Sequence, residues 1–285
     1  MKTFFFLLLI SISSSAFCQI DKLSPYEINL YNKYSHTLAS KTVLIQVGSR
    51  FDKDFGTGSA FIVNKNGKLY LITNYHLIPG YDANDTTILY HTKRRADVVY
   101  ILFHLKNPTM AILLPYKLYN RSGKRLFYTI PNQKSKDIFP KSITDLSILP
   151  LGSIDKRVFI DTVRIWDKSD PYASRGSIAS IWGFRYNHGV GRQYPMADTG
   201  IVLANNLNIN GRYLIVMRTH KFMSGDSGAP VYLSYNNDLI FLGINSSESG
   251  CGNLLSGYDD FTKNQNAVFI IPKKTIRDAL IKLVK

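Results

Sequence analysis

From Lys41 onward, short apolar runs alternate with polar breaks rich in Gly, Asn, Asp and Pro. The runs are four to nine residues long and carry Val, Ile, Tyr, Phe and Thr, the composition and length of strands packed on a pleated surface. A first series covers residues 42–47, 58–63, 69–73, 86–91, 97–105, 112–116, 125–130 and 146–149. A second covers 158–166, 177–183, 199–203, 213–218, 229–233, 240–244 and 267–270. Asn66-Gly67 between two runs is a two-residue hairpin turn, because both positions accept positive φ. Near the end the period changes. Ile276, Leu280 and Leu283 fall on one face at helical spacing behind Thr275, a residue suited to an N-cap. The expected architecture is all-β: two antiparallel six-stranded β-barrels with a C-terminal α-helix.

The domain plan follows from the same pattern. Residues 1–18 read as a signal peptide: Lys2, an apolar run over 4–12, then Ser13-Ser14-Ser15-Ala16. The run is too short to span a bilayer. Cleavage after Ala16 or after Cys18 both satisfy the small-residue rule, and the second leaves Gln19 first. A lipobox ending at Cys18 fits worse, because Phe17 is bulky and Ser15 stands where leucine is usual. Residues 19–40 form a polar, Tyr-rich lead-in, 41–150 the first β-barrel, and 151–285 the second β-barrel with the helix. Residues 150–155 are the linker. The chain is thus expected to be exported, periplasmic or extracellular, with no transmembrane segment after cleavage.

Composition changes this picture little. The 285 residues, 45% hydrophobic and 19% charged, can bury a sizeable core. With Cys18 in the leader, Cys251 is left without an intrachain disulfide partner. The formal charge of +15 is concentrated in Lys93-Arg94-Arg95 and in Lys117, Arg121, Lys124, Arg125, Lys134 and Lys136. Such charge fits an acidic surface or polymer as partner, or simply a solvated basic face; no specific nucleic-acid motif accompanies it.

The chemistry is concentrated in three places. Met223-Ser224-Gly225-Asp226-Ser227-Gly228-Ala229-Pro230 sets a serine between two glycines. Glycines take positive φ freely, so the turn can present the Ser227 hydroxyl and aim the Gly225 and Ser227 N–H groups at one point. Tyr70-Leu71-Ile72-Thr73-Asn74-Tyr75-His76 is an apolar strand ending in a histidine, and Thr144-Asp145-Leu146-Ser147-Ile148-Leu149 is an aspartate leading another. A serine hydroxyl needs a base that titrates near neutral pH, and that base needs a carboxylate to fix its tautomer. His76, Asp145 and Ser227 supply one of each, at spacings of 69 and 82 residues. Each also has a plain structural reading, as a turn serine or a strand-start cap, and Asp137 and Asp155 are rival carboxylates.

These segments, together with Gly56-Thr57-Gly58-Ser59-Ala60-Phe61-Ile62-Val63, resemble the trypsin-like (chymotrypsin-fold) serine peptidases, most closely the exported bacterial branch that includes HtrA-type enzymes without the PDZ domain. The resemblance covers nearly all of the mature chain. It implies two six-stranded barrels with the site between them, a polypeptide substrate and an acyl-enzyme intermediate. It makes His76 the general base, Asp145 the orienting acid, Ser227 the nucleophile, and the Gly225 and Ser227 amides the oxyanion hole. It places Lys221 at the floor of the specificity pocket, and the backbone near Ser246 and Glu248 along the substrate strand. No cofactor is implied, and no histidine has the spaced partners of a metal site. No Ile-Val-Gly-Gly activation sequence follows the leader, although in activated relatives the residue matching Asp226 pairs with a new N-terminus. Two readings outside endopeptidase chemistry remain: a catalytically weak homologue that binds peptides or anionic surfaces, and an esterase with the same triad.

Overall fold

A computed structural model of the chain describes residues 33, 37–38, 40–49, 56–79, 96–106, 110–131, 143–167, 169–184, 195–209, 212–219, 225–235, 238–246 and 267–284. The leader and its cleavage site, the 86–91 run, Lys221, Glu248 and Cys251 lie outside these residues.

The first unit is a sheet of β1 (Thr42–Gly48), β2 (Gly56–Lys65), β3 (Lys68–Thr73), β4 (Val98–His104), β5 (Ala111–Lys117), β6 (Tyr128–Pro131) and β7 (Ile143–Pro150). Its strand order is β5-β4-β1-β2-β3-β7-β6, with every neighbouring pair antiparallel. Among the described residues it carries seven strands where six were expected. The Asn66-Gly67 turn forms as read: φ is 53° and 79°, Lys65 faces Lys68, and the Asn64 carboxamide oxygen accepts the Gly67 N–H. The second unit is β8 (Ile178–Gly183), β9 (Met196–Ile209), β10 (Arg212–Thr219), β11 (Pro230–Tyr235), β12 (Asp238–Ser246) and β13 (Ala267–Pro272). These close into a barrel in the order β10-β13-β12-β11-β8-β9.

Three apolar cores explain the runs. Ile45, Val47, Ile62, Leu71, Val99, Ile101 and Phe103 fill one side of the first sheet. Ile181, Val202, Ile215, Met217, Val231 and Ile270 fill the second barrel. Between the units, Phe61, Val63, Ile72 and Ile148 from the other side of β2, β3 and β7 pack with Trp182, Val216, Phe241, Ile271, Ile276 and Leu280. Phe61 meets Phe241 edge-on, with ring centroids 5.2 Å apart. β2 is therefore buried on both faces, which is why Ala60-Phe61-Ile62-Val63 reads as unbroken apolar sequence.

The 158–166 run is not a strand. Its backbone bonds are scattered: the Phe159 N–H reaches His104 O at 2.9 Å, the Val163 N–H reaches Ile62 O at 2.8 Å, and Val158 forms one isolated bridge to Leu105. Val163 and Ile165 are buried while Arg164 and Trp166 are exposed, so an extended connector lying across a sheet has the same alternation as a strand. Trp166 is 40% exposed and donates its indole N–H to Asn64 O; Trp182 is fully buried.

Helix α1 (Lys273–Leu283) starts two residues before the expected Thr275 cap. Pro272 occupies the N-cap with no side-chain cap bond. Ile276 and Leu280 face the core as read, and Leu283 packs at its margin. Buried Lys273 donates to Ser169 O, and Arg277 pairs doubly with Asp170, so the helix is fastened to the connector. Across the inter-unit seam, Lys65 Nζ on β2 donates to the Leu280 and Val284 carbonyls at the helix C-terminus. A cation there faces the negative end of the helix; it bonds the Val284 carbonyl and shares the Leu280 carbonyl with the Val284 N–H. Lys65→Ala should lower unfolding stability by about 1–2 kcal/mol, read as a shifted urea midpoint with an unchanged slope. An unchanged midpoint would show that the contact does not hold the helix.

Candidate active site

β3 delivers His76. Its last residue, Thr73, is followed by Asn74 and by a turn over residues 75–79, and Tyr75 and Ile78 are buried in the first core. Next to β3, β7 delivers Asp145, in register such that Thr73 faces Ser147. The two side chains meet. His76 Nδ1 lies 2.9 Å from Asp145 Oδ2 and 3.0 Å from Oδ1, and the His76 backbone N–H donates to Oδ1 at 3.0 Å. A carboxylate only accepts, so Nδ1 carries a proton, and Nε2 is the ring nitrogen left to act as a base.

β12 closes the other side. Its last residue, Ser246, donates its hydroxyl to Asp145 Oδ2 at 2.8 Å. Asn74 Nδ2 donates to the Asp145 carbonyl at 3.0 Å. Burial alone would raise the Asp145 carboxyl, but the His76 charge, the two His76 hydrogen bonds and the Ser246 hydroxyl together hold it below the usual carboxylate range.

The serine turn comes from the second unit, just before β11. Gly225 and Gly228 have φ of 98° and 82°. Gly228 is the tighter constraint, because a Cβ there would lie 2.0 Å from Ser59 O and 2.5 Å from Thr73 Oγ1. The turn is thus pressed against the ends of β2 and β3, three residues from His76. Ser227 is 9% exposed. Its carbonyl accepts from the Ser59 N–H at 2.8 Å, the Gly228 N–H donates to Asn245 O, and Asn245 Nδ2 donates to Asp226 O. Asp226 is 1% exposed, with Oδ1 against the backbone of Gly183.

The structure therefore joins His76 directly to Asp145 and seats the Gly225–Ser227 turn on the strands that carry His76. Two contributions were missed by the sequence reading. Ser246 was placed for its backbone, yet its hydroxyl holds the Asp145 carboxylate. Ser59, one serine in a glycine-rich run, contacts the turn from the other unit. Neither has a local signal; each depends on a register set by long-range pairing. Asp155, a rival carboxylate, is only partly buried and pairs with Arg157. No cluster of metal-ligand side chains occurs among the described residues.

No family model and no curated protein sequence matches the chain. Solved structures do. The Rv3671c protease from M. tuberculosis, in its active form, superposes with a TM-score of 0.51 at 15% identity, over 100% of this chain and 94% of that one. The fold is that of the trypsin-like serine peptidases. A serine endoprotease from Yersinia pestis aligns at 19% identity over 89% of this chain, with a TM-score of 0.48, and this chain spans 66% of its length.

Within this trypsin-like fold the acid behaviour of Asp145 is a stability statement. Its folded value is lowered, so the carboxylate stabilises the protein above the usual carboxylate range and that contribution fades as pH falls through it. Ser246→Ala removes one of the lowering contacts. The acid-unfolding midpoint, followed by circular dichroism over roughly pH 5 to 2, should move to higher pH. A midpoint that stays put or falls would contradict the assignment of Ser246.

Proposed function

We propose that the chain is an exported serine endopeptidase. The observation that carries this reading is the His76 Nδ1–Asp145 carboxylate contact, in a trypsin-like fold that seats a Gly-Asp-Ser-Gly turn against the same strands. Asp145 fixes the tautomer, so His76 Nε2 takes the proton from Ser227 Oγ as the oxygen attacks a substrate carbonyl carbon. The negative charge that develops on the carbonyl oxygen falls to the Gly225 and Ser227 N–H groups, neither of which donates a hydrogen bond among the described residues. The imidazolium then protonates the leaving amine, and water, activated by His76 in turn, releases the acyl group. The extended backbone at the end of β12 is the place for a polypeptide to add as a strand. Lys221 and Glu248 complete the proposed substrate contacts, and the leader over residues 1–18 carries the chain out of the cytoplasm.

A fluorophosphonate probe on the folded chain should label the peptide containing Ser227. Ser227→Ala should abolish labelling, and His76→Ala should lower kcat by a factor on the order of 10⁶. A folded wild-type chain that takes no label would overturn the hydrolase reading in favour of a peptide-binding homologue. Turnover confined to esters would make it an esterase.

A further inference from the structure

After the His76–Asp145 pair, the densest set of hydrogen bonds in the site converges on Ser59 of β2, which is fully buried. Its N–H donates to Ser227 O at 2.8 Å. Its carbonyl accepts the Thr73 hydroxyl at 2.8 Å. Its own hydroxyl lies 2.7 Å from Gly225 O and 2.8 Å from the Phe184 nitrogen. A hydroxyl has one proton, and Phe184 N–H can only donate, so the Ser59 proton goes to Gly225 O. One residue from the first unit thus bonds the carbonyls of both Gly225 and Ser227.

This matters because of how a peptide plane is built. The N–H and C=O of a trans peptide point in opposite directions, so fixing one aims the other. Asp226 O is held by Asn245 Nδ2 at 2.9 Å and by the Ala229 N–H at 3.1 Å, which turns the Ser227 N–H away from Asn245. The Gly225–Asp226 peptide lies between the two N–H groups of the hole. Gly225, at φ 98°, has no side chain to restrain it. The Ser59 hydroxyl is the group that holds this peptide's carbonyl.

We propose that Ser59 is a positioning residue for the oxyanion hole. Its hydroxyl holds the Gly225–Asp226 peptide in one orientation, and so sets the angle between the Gly225 and Ser227 N–H groups before substrate arrives. The inference rests on the serine-hydrolase reading above and names the part of that site which the first unit supplies to the nucleophile loop. The same hydroxyl ties in Phe184, just past β8, so the segment leading from β8 and the oxyanion turn are held at one point.

The test compares the full chain with Ser59→Ala and Ser59→Thr. Ser59→Ala should lower kcat by about tenfold or more, short of the roughly 10²–10³ that loss of a whole oxyanion donor costs. KM should change much less. A peptide aldehyde, whose hemiacetal oxygen occupies the hole, should lose affinity by the same factor as kcat. The acid limb of the kcat/KM profile should stay in place, because the His76–Asp145 pair is untouched. Ser59→Thr keeps the hydroxyl and should recover most of the rate. Independently of turnover, amide hydrogen exchange over residues 225–235 should quicken in Ser59→Ala. An unchanged kcat with unchanged exchange would overturn the proposal. So would a loss of kcat accompanied by a shifted acid limb, which would mean general loosening of the site. If wild-type Ser227 takes no fluorophosphonate, the hydrolase reading falls, and exchange still decides whether Ser59 holds the turn. Should Ser59→Ala fail to fold, Ser59→Cys keeps the heavy atom and weakens the bond, with the same readouts.

Discussion

Burial of β2 on both faces is the constraint on which the rest depends. One face completes the interior of the first sheet through Ala60 and Ile62, and the other supplies Phe61 and Val63 to the layer between the units. The strand cannot shift by one residue without exchanging those faces, so its register is fixed from two sides. Ser59 is carried at the entrance of this doubly held stretch. A group that must orient a peptide to within a fraction of an ångström is thereby placed on one of the least mobile kinds of element in the fold. The same logic extends to β3 and β7, whose pairing brings His76 and Asp145 together.

Around that frame, the polar groups form a closed circuit through low-dielectric surroundings. Asp145 is bonded by His76 and Ser246; Asn245, next to Ser246, bonds Asp226 and Gly228; the Ser227 carbonyl, just before Gly228, accepts the Ser59 N–H; the Ser59 carbonyl accepts the Thr73 hydroxyl; and Asn74, after Thr73, returns to Asp145. Circuits of this kind are costly if one member is missing, because a buried polar group left without a partner loses its hydration for nothing. The two units are therefore joined at the site by directional bonds as well as by apolar packing. Packing alone would tolerate sliding; the bonds do not.

The parts of this arrangement that are local were legible in the amino-acid order. Asn66-Gly67 declared its hairpin because only certain residues accept two successive positive φ angles, and the Gly225–Gly228 turn declared itself for the same reason. The strand and helix periods gave the all-β class and the face of α1. Elements set by tertiary context were not legible. The connector over residues 158–166 alternates buried and exposed residues as a strand does, since alternation reports which side is covered and not whether a ladder exists. Thr275 had the chemistry of a cap, but the helix begins where Pro272 leaves β13, with Lys273 reaching the connector instead. Ser59 and Ser246 look like any serine, and their hydroxyls acquire meaning only after the two units have packed and brought together residues more than a hundred positions apart.

The tie from Lys65 to the carbonyls of Leu280 and Val284 spans more than 200 positions of chain. The layer it borders is assembled from residues near both ends, Leu38 and Phe61 on one side, Ile276 and Leu280 on the other. A chain made from its N-terminus therefore produces the first sheet long before the surface that covers it exists. Contacts of such separation are slow to form and leave apolar strands open to wrong partners in the interval. The seam on which the site is built thus needs residues of helix α1 and cannot close before they have been made.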